Sequence, residues 1–302
     1  MNGIIVINKP QDFTSFDVVA LMRGLSKQKK IGHTGTLDPM ATGVLPLLFG
    51  SATKAQSLLP DSNKEYSAKF KLGITTDTLD ITGKITAQNP VNVKSEDIQK
   101  LIPHFTGNIL QLPPMYSAVQ IDGKRLYDLA RKGIEVKRDA RSVCIHKLQL
   151  IDYDEKTATG SLYISCSSGT YIRTLVDDIG ALLGCGGTLT SLCRTFACGY
   201  TLQNSITIEQ AKQIAQNGKF EYFLHPTENL FVPYPQVNIT LPQAVRFSNG
   251  GGLDISRLQL TEKIADKTIF RVKAPEEQFI GLGIINTEKQ ELTILKLFNQ
   301  IT

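Results

Sequence analysis

Residues 65–72 read EYSAKFKL, and the alternation is strict: Tyr66, Ala68, Phe70 and Leu72 fall on one side, Ser67, Lys69 and Lys71 on the other. A side-chain period of two predicts a strand with one face buried and one wetted. The run GSLYISC repeats the pattern, with Leu162, Ile164 and Cys166 on one face. Between such strands the period changes. TSFDVVALMRGLSKQ has helical spacing, with Thr14 or Ser15 as cap and Val18, Leu21, Met22 and Leu25 on one face. SEDIQKLIPHF starts a short helix at Ser95. GTYIRTLVDDIGALLG predicts a longer one, capped by Thr170, apolar at Ile172, Leu175, Val176, Ile179, Leu182 and Leu183, and ended by Gly184. Strands and helices follow no regular βαβ alternation, so the expected fold class is α+β.

Past FLHPTENLFVPYPQ, with its three prolines, the texture changes to short β-type runs (QVNITL, KTIFRV, FIGLGIIN, ELTILKLF) separated by turns. The chain of 302 residues thus divides into a larger unit over 1–230 and a small β-rich one over 231–302. No apolar run approaches the ~18 residues that span a bilayer. The opening MNGIIVIN reads as a strand, not a signal peptide, so a cytoplasmic protein is expected. The five cysteines include no Cys-x-x-Cys pair and none is spaced with a histidine as a ligand set, which supports neither a zinc site nor a disulfide framework. No P-loop, no Gly-x-Gly-x-x-Gly and no deaminase motif is present, so no metal, nucleotide or redox cofactor is expected.

The net charge of +5 is unevenly placed. Seven basic residues (Lys124, Arg125, Arg131, Lys132, Lys137, Arg138, Arg141) face three acidic ones (Asp128, Glu135, Asp139) within eighteen positions. A second cluster, Arg23, Lys27, Lys29 and Lys30, stands just upstream of residue 32. Such clusters fit a polyanion, nucleic acid first, or a solvated helix face.

The stretch GHTGTLDPMATGVLPLLFG, residues 32–50, holds a single acidic residue in nineteen. Asp38 followed by Pro39 is an ordinary helix start, yet Gly43 and Pro46 leave little helix to follow; a functional carboxylate is the other reading. Arg173 sits in the first turn of its helix, where the macrodipole disfavours a cation by ~0.3–1 kcal/mol. It is either a solvated surface arginine or the partner of a carboxylate elsewhere. Tyr66 is a core tyrosine or the floor beneath a planar base. His33 lies on a glycine-flanked turn.

In this order the fragments resemble the TruB-type tRNA pseudouridine synthases. GHTGTLDPMATGVLPL is similar to the family's catalytic motif, and NKPQDFTSFDVV to its Lys-Pro-x-Gly-x-Thr-Ser segment. KEYSAKFKLGITTDTLDITG resembles the tyrosine-bearing strand and following loop, and PPMYSAVQIDGKRLYDLARKGIEV the thumb insertion. CSSGTYIRTLVDDIG and LTSLCRTFACG resemble the arginine and leucine motifs. The likeness covers residues 3 to 230, with a weaker one to a PUA-like tail beyond. Asp12 departs from it, standing where the family usually has glycine.

The resemblance implies the pseudouridine synthase catalytic fold: a central mixed or antiparallel sheet flanked by helices, a thumb at about 113–142, and a PUA-like RNA-binding domain over 231–302. It implies that Asp38 is the catalytic aspartate, Arg173 its partner and Tyr66 the residue that stacks on the target base. Tyr171 and Leu192 then line the uracil pocket, and His33 contacts RNA where the base has flipped out. Arg131, Lys132, Lys137 and Arg138 of the basic thumb are assigned to the RNA backbone. The implied reaction is isomerisation of uridine 55 in the T-loop of tRNA to pseudouridine, by a monomer, without cofactor, guide RNA or membrane. The alternatives are a tRNA-binding folding module with little or no catalysis, and a guide-RNA-dependent rRNA modifier.

Overall fold

The computed structural model describes residues 1–60, 63–218, 220–260 and 265–299. A nine-stranded sheet dominates. Along its main path the strands are ordered Gly3–Lys9, Thr42–Phe49, Gly187–Ala197, Lys64–Leu72, Thr159–Cys166, Arg141–Asp154 and Gly107–Gln111. Neighbours run antiparallel except at one place: Thr42–Phe49 and Gly187–Ala197 are parallel, with Cys193 opposite Thr42 and Arg194 opposite Gly43. The alternating residues behave as their period requires, since Tyr66, Ala68, Phe70 and Leu72 are all buried on one side of their strand.

The first strand is buried on both faces. Ile5 and Ile7 join the core that includes Val18, Val19 and Met22 of the helix Ser15–Ser26. Ile4 and Val6 turn the other way, into a cluster with Phe231, Phe279 and Phe298. That second cluster seats a separate five-stranded sheet, ordered Gln236–Asn238, Ile269–Ala274, Gln278–Asn286, Glu291–Leu297 and Leu253–Asp254, against the back of the first. Between these strands lies a helix that the β-type texture hides, Leu241–Ser248, with a capping box between Thr240 and Gln243.

Of three helix starts legible in the sequence, two form as expected, including Ser95–Leu101, and one shifts. Thr14 caps Ser15–Ser26, its side chain accepting from the Asp17 N–H while Asp17 reaches back. The helix Ile172–Leu182 begins one residue later than its sequence suggests: Tyr171 is its cap residue, with no side-chain cap bond. The Thr170 hydroxyl instead donates to the Ser167 carbonyl at 3.0 Å. Gln111, from the edge strand, does the tying, with its Oε1 accepting from the Tyr171 N–H at 2.7 Å and its Nε2 donating to the Tyr171 carbonyl at 3.0 Å.

Within residues 113–142 a hairpin, Gln120–Ile121 with Lys124–Arg125, turns at Asp122 and Gly123, both at positive φ (50° and 75°), and a short helix Leu126–Ala130 follows. Among the described residues no helix is long and apolar enough to cross a membrane.

Candidate active site

The parallel strand pair explains how distant segments meet. Chain entering the strand at Thr42 arrives beside the Gly187–Ala197 strand. The loop after Lys64–Leu72 reaches the same strand, where Ile81 N–H donates to the Leu189 carbonyl at 2.9 Å and Leu189 N–H to the Leu79 carbonyl at 3.3 Å. The helix Ile172–Leu182 lies over it. Asp38, Asp80 and Arg173 therefore converge.

Asp38 starts no helix. Its carbonyl accepts from the Ala41 N–H at 3.0 Å, closing one turn before the strand begins at Thr42. Both flanks are fixed. The Ser15 hydroxyl accepts from Leu37 N–H at 2.8 Å and donates to the Leu37 carbonyl at 3.2 Å. The Pro39 carbonyl accepts from Asp12 N–H at 2.9 Å and from Lys9 Nζ at 3.3 Å. Lys9 is wholly buried and also donates to the carbonyls of Pro10 and Phe13; burial pushes its amine down to about 8, against the pull of Asp38. Asp12 takes φ +67°, the left-handed conformation that a glycine would supply without strain and that Asp tolerates better than most residues.

Arg173 binds two carboxylates at once. Its Nε lies 3.0 Å from Asp38 Oδ2 and its Nη1 3.5 Å from Asp80 Oδ2. Nη1 also donates to the Thr78 carbonyl at 3.0 Å and Nη2 to the Tyr116 carbonyl at 2.7 Å. The Arg173 and Asp80 side chains are each 6% exposed, whereas that of Asp38 is 38% exposed. Asp80 Oδ1 accepts from Thr78 Oγ1 and from the N–H and hydroxyl of Thr82, so this carboxylate is fully engaged. Asp38 is the one that faces outward. Burial pushes its carboxyl above the usual range; Arg173 and Lys9 pull it back and Asp80 pushes it further up. The sequence pairs Asp38 with one arginine. The arginine reaches Asp38 but is shared with Asp80, and burial outweighs its pull.

Tyr66 is buried opposite Arg194, with its phenol pushed up to about 12 by burial while Arg194 works against the shift. Leu192, two residues before Arg194 and opposite Ala68, shares that face and is buried. Tyr171 stands at the cap of the arginine helix, held by Gln111. His33, in the strand Ile31–His33, is pushed below its ordinary value by burial and by Arg194, and its Nδ1 is buried without a hydrogen-bond partner.

Sequence reasoning missed Asp80, Arg194, Lys9 and Gln111. Arg194 is fully buried, with Nε donating to the Val44 carbonyl at 2.8 Å, Nη2 to Gly35 at 3.1 Å and Nη1 to Thr36 at 3.5 Å. It staples the loop ahead of Asp38 to the central strand. Gly43, at φ +102°, makes this possible, because a Cβ there would run into the Arg194 carbonyl. Gly43→Ala is expected to destabilise the fold by at least ~3 kcal/mol, through backbone strain and overpacking together. Denaturant unfolding measures it, and an unchanged midpoint would refute this account of the strand pair.

On the thumb, Arg131, Lys132 and Lys137 are exposed, and Arg131 stands 5.3 Å over the Tyr127 ring. Lys124, Arg125, Arg131 and Lys132, with Asp128, line a cleft of about 640 Å³. Arg138 differs from its neighbours. Its side chain is 14% exposed and turned inward, bonded to the Pro113 carbonyl and Glu135, both at 3.1 Å.

The family model for TruB family pseudouridylate synthase (N terminal domain) matches residues 23–172, and that for tRNA pseudouridylate synthase B C-terminal domain matches residues 173–232. The chain is 41% identical over 298 residues to a tRNA pseudouridine synthase B of Clostridium tetani, covering 98% of this chain and 99% of that protein. A tRNA pseudouridine synthase B of Pseudomonas syringae pv. syringae is 42% identical over 286 residues, covering 94% and 91%. Among solved structures, a Cbf5-Nop10-Gar1 complex matches with a TM-score of 0.76 at 24% identity, over 99% of this chain and 85% of the matched one. At that identity the likeness concerns the fold.

Proposed function

The chain belongs to the TruB family of pseudouridylate synthases, and from that premise we propose that it isomerises uridine 55 in the T-loop of tRNA, with Asp38 as the catalytic carboxylate. Its activity is that of a tRNA pseudouridine synthase. The observation that supports the assignment to Asp38 is the division of labour around Arg173: Asp80 is buried and saturated, and Asp38 alone offers a carboxylate to the open side.

In the reaction the N1–C1′ bond breaks, the uracil turns, and a C5–C1′ bond forms; C5 loses a proton and N1 gains one. Atoms and electrons balance within the nucleotide. A fixed, partly desolvated carboxylate can act here as nucleophile or base. Tyr66 provides a flat surface for the turned-out base, Leu192 and Tyr171 wall the pocket, and His33 contacts the RNA from which the base has left. Extracting the uridine costs a few kcal/mol, offset by stacking and by phosphate contacts from the thumb. Residues 1–230 form the catalytic domain, with the thumb at about 113–142, and residues 231–302 a PUA-like RNA-binding domain. The protein acts as a monomer and without a guide RNA.

The test is incubation with an unmodified tRNA transcript and nothing else, with carbodiimide primer-extension mapping. A stop at position 55 is expected; tight binding with no stop would favour a folding module instead. Neutralising Arg131, Lys132 and Lys137 should flatten the slope of log affinity against log salt, by about 0.9 for each phosphate that the protein ceases to neutralise, at the duplex limit. Arg138→Ala should leave that slope alone, because its charge is engaged inside the thumb. An unchanged slope in the triple variant would make the cluster a solvated face.

A further inference from the structure

The cluster Arg23, Lys27, Lys29 and Lys30 is not part of the thumb, and the helix Ser15–Ser26 gives it a setting. That helix is lashed to the segment carrying His33 at both ends: Ser15 holds Leu37, and Arg23 Nη2 donates to the Ile31 carbonyl at 3.0 Å. Its inner face buries Val18, Val19 and Met22. On its outer face Phe16 is 62% exposed, and the Arg23 guanidinium stands 5.7 Å from the ring centroid. One guanidinium therefore anchors to the catalytic loop and caps an exposed aromatic.

Charge is graded along this ledge. Asp17, the only acidic residue between Ser15 and Lys30, is engaged with Thr14 at the helix start. From Arg23 to Lys30 every charge is positive, and Lys27, Lys29 and Lys30 are exposed. An aromatic ring with a stacked guanidinium beside a basic run is the combination that holds an unstacked nucleotide: the base lies on the ring and the backbone follows the cations. The acidic end fits poorly with a phosphate, so the base belongs at Phe16 and the phosphates at the far end.

We propose that Phe16 is a stacking platform for a nucleobase of the substrate tRNA next to the extruded uridine, with Lys27, Lys29 and Lys30 taking phosphates of the same strand. The proposal rests on the functional reading above and adds a second RNA contact, on the His33 side of the site.

The chain has no tryptophan, so Phe16→Trp places a single tryptophan, excited selectively over the tyrosines, at the proposed contact. Its emission should be quenched as an unmodified tRNA transcript saturates the protein. Phe16→Ala should bind that transcript roughly tenfold more weakly, Phe16→Tyr close to normally, and neither should unfold earlier. Unaltered Trp emission at saturation, or unchanged affinity in Phe16→Ala, overturns the proposal. The unsubstituted protein assayed on the same transcript separates the two failures. Pseudouridine formed with a silent tryptophan removes this contact alone, whereas no pseudouridine removes the functional reading and this contact with it.

Discussion

Asp38→Asn is expected to form no detectable pseudouridine in an unmodified tRNA transcript while binding it within a few fold of the unsubstituted protein. The amide keeps the shape of the carboxylate, and its oxygen can still accept from Arg173 Nε. What disappears is the negative charge, and with it nucleophilicity and basicity, so the loss should be at least ~10²–10⁴-fold. The fold should tolerate the change for a specific reason. Arg173 retains Asp80 as a counter-ion and keeps its bonds to the Thr78 and Tyr116 carbonyls, so no buried charge is orphaned. Single-turnover formation of pseudouridine, beside filter binding of the same transcript, reads both halves. Turnover above a few per cent of normal would remove Asp38 from the chemistry.

Asp38 and Arg173 are legible in the sequence because each breaks a local rule. One is an acid in an uncharged, glycine-rich stretch, the other a cation at the wrong end of a helix. The residues that escape break no local rule. Asp80 sits in TDTLDITG, an ordinary turn composition, and matters because that turn bridges to Leu189, more than a hundred residues away. Arg194 looks like one polar residue in an alternating strand; its carbonyl partners at Gly35, Thr36 and Val44 come from the other end of the domain. Lys9 is the last residue of an apolar strand, and only the folded turn at Pro10–Phe13 shows where its amine goes. The helix Leu241–Ser248 has a local signal, Thr240 with Gln243 and a proline in the first turn, but the β-type runs around it mask that signal. Period and caps carry local structure, whereas long-range pairing decides which polar side chains share a partner.

The shared arginine leads to the second large effect, in which two substitutions should move the acid limb of activity in opposite directions. Asp38 must be ionised to act as nucleophile or base, and burial already places its carboxyl above the usual range, so activity should rise with pH through that ionisation. Arg173→Met removes the largest influence pulling it down and leaves Asp80 as an unneutralised neighbour. The limb should shift to higher pH, and at neutral pH the rate should fall by at least ~10²-fold. Arg173→Lys keeps a charge but cannot span two carboxylates and two carbonyls, so it should recover only part of the rate. Asp80→Asn has the opposite sign. It removes a charge that pushes Asp38 upward and leaves the guanidinium to Asp38 alone, so the limb should shift to lower pH even where the rate suffers from loosened geometry. Single-turnover rates against pH for these variants, at saturating protein, read the shifts apart from the losses. If all the profiles run parallel to that of the unsubstituted protein, differing only by constant factors, then Arg173 is not tuning Asp38. Its place would be explained by the Thr78 and Tyr116 carbonyls it holds together.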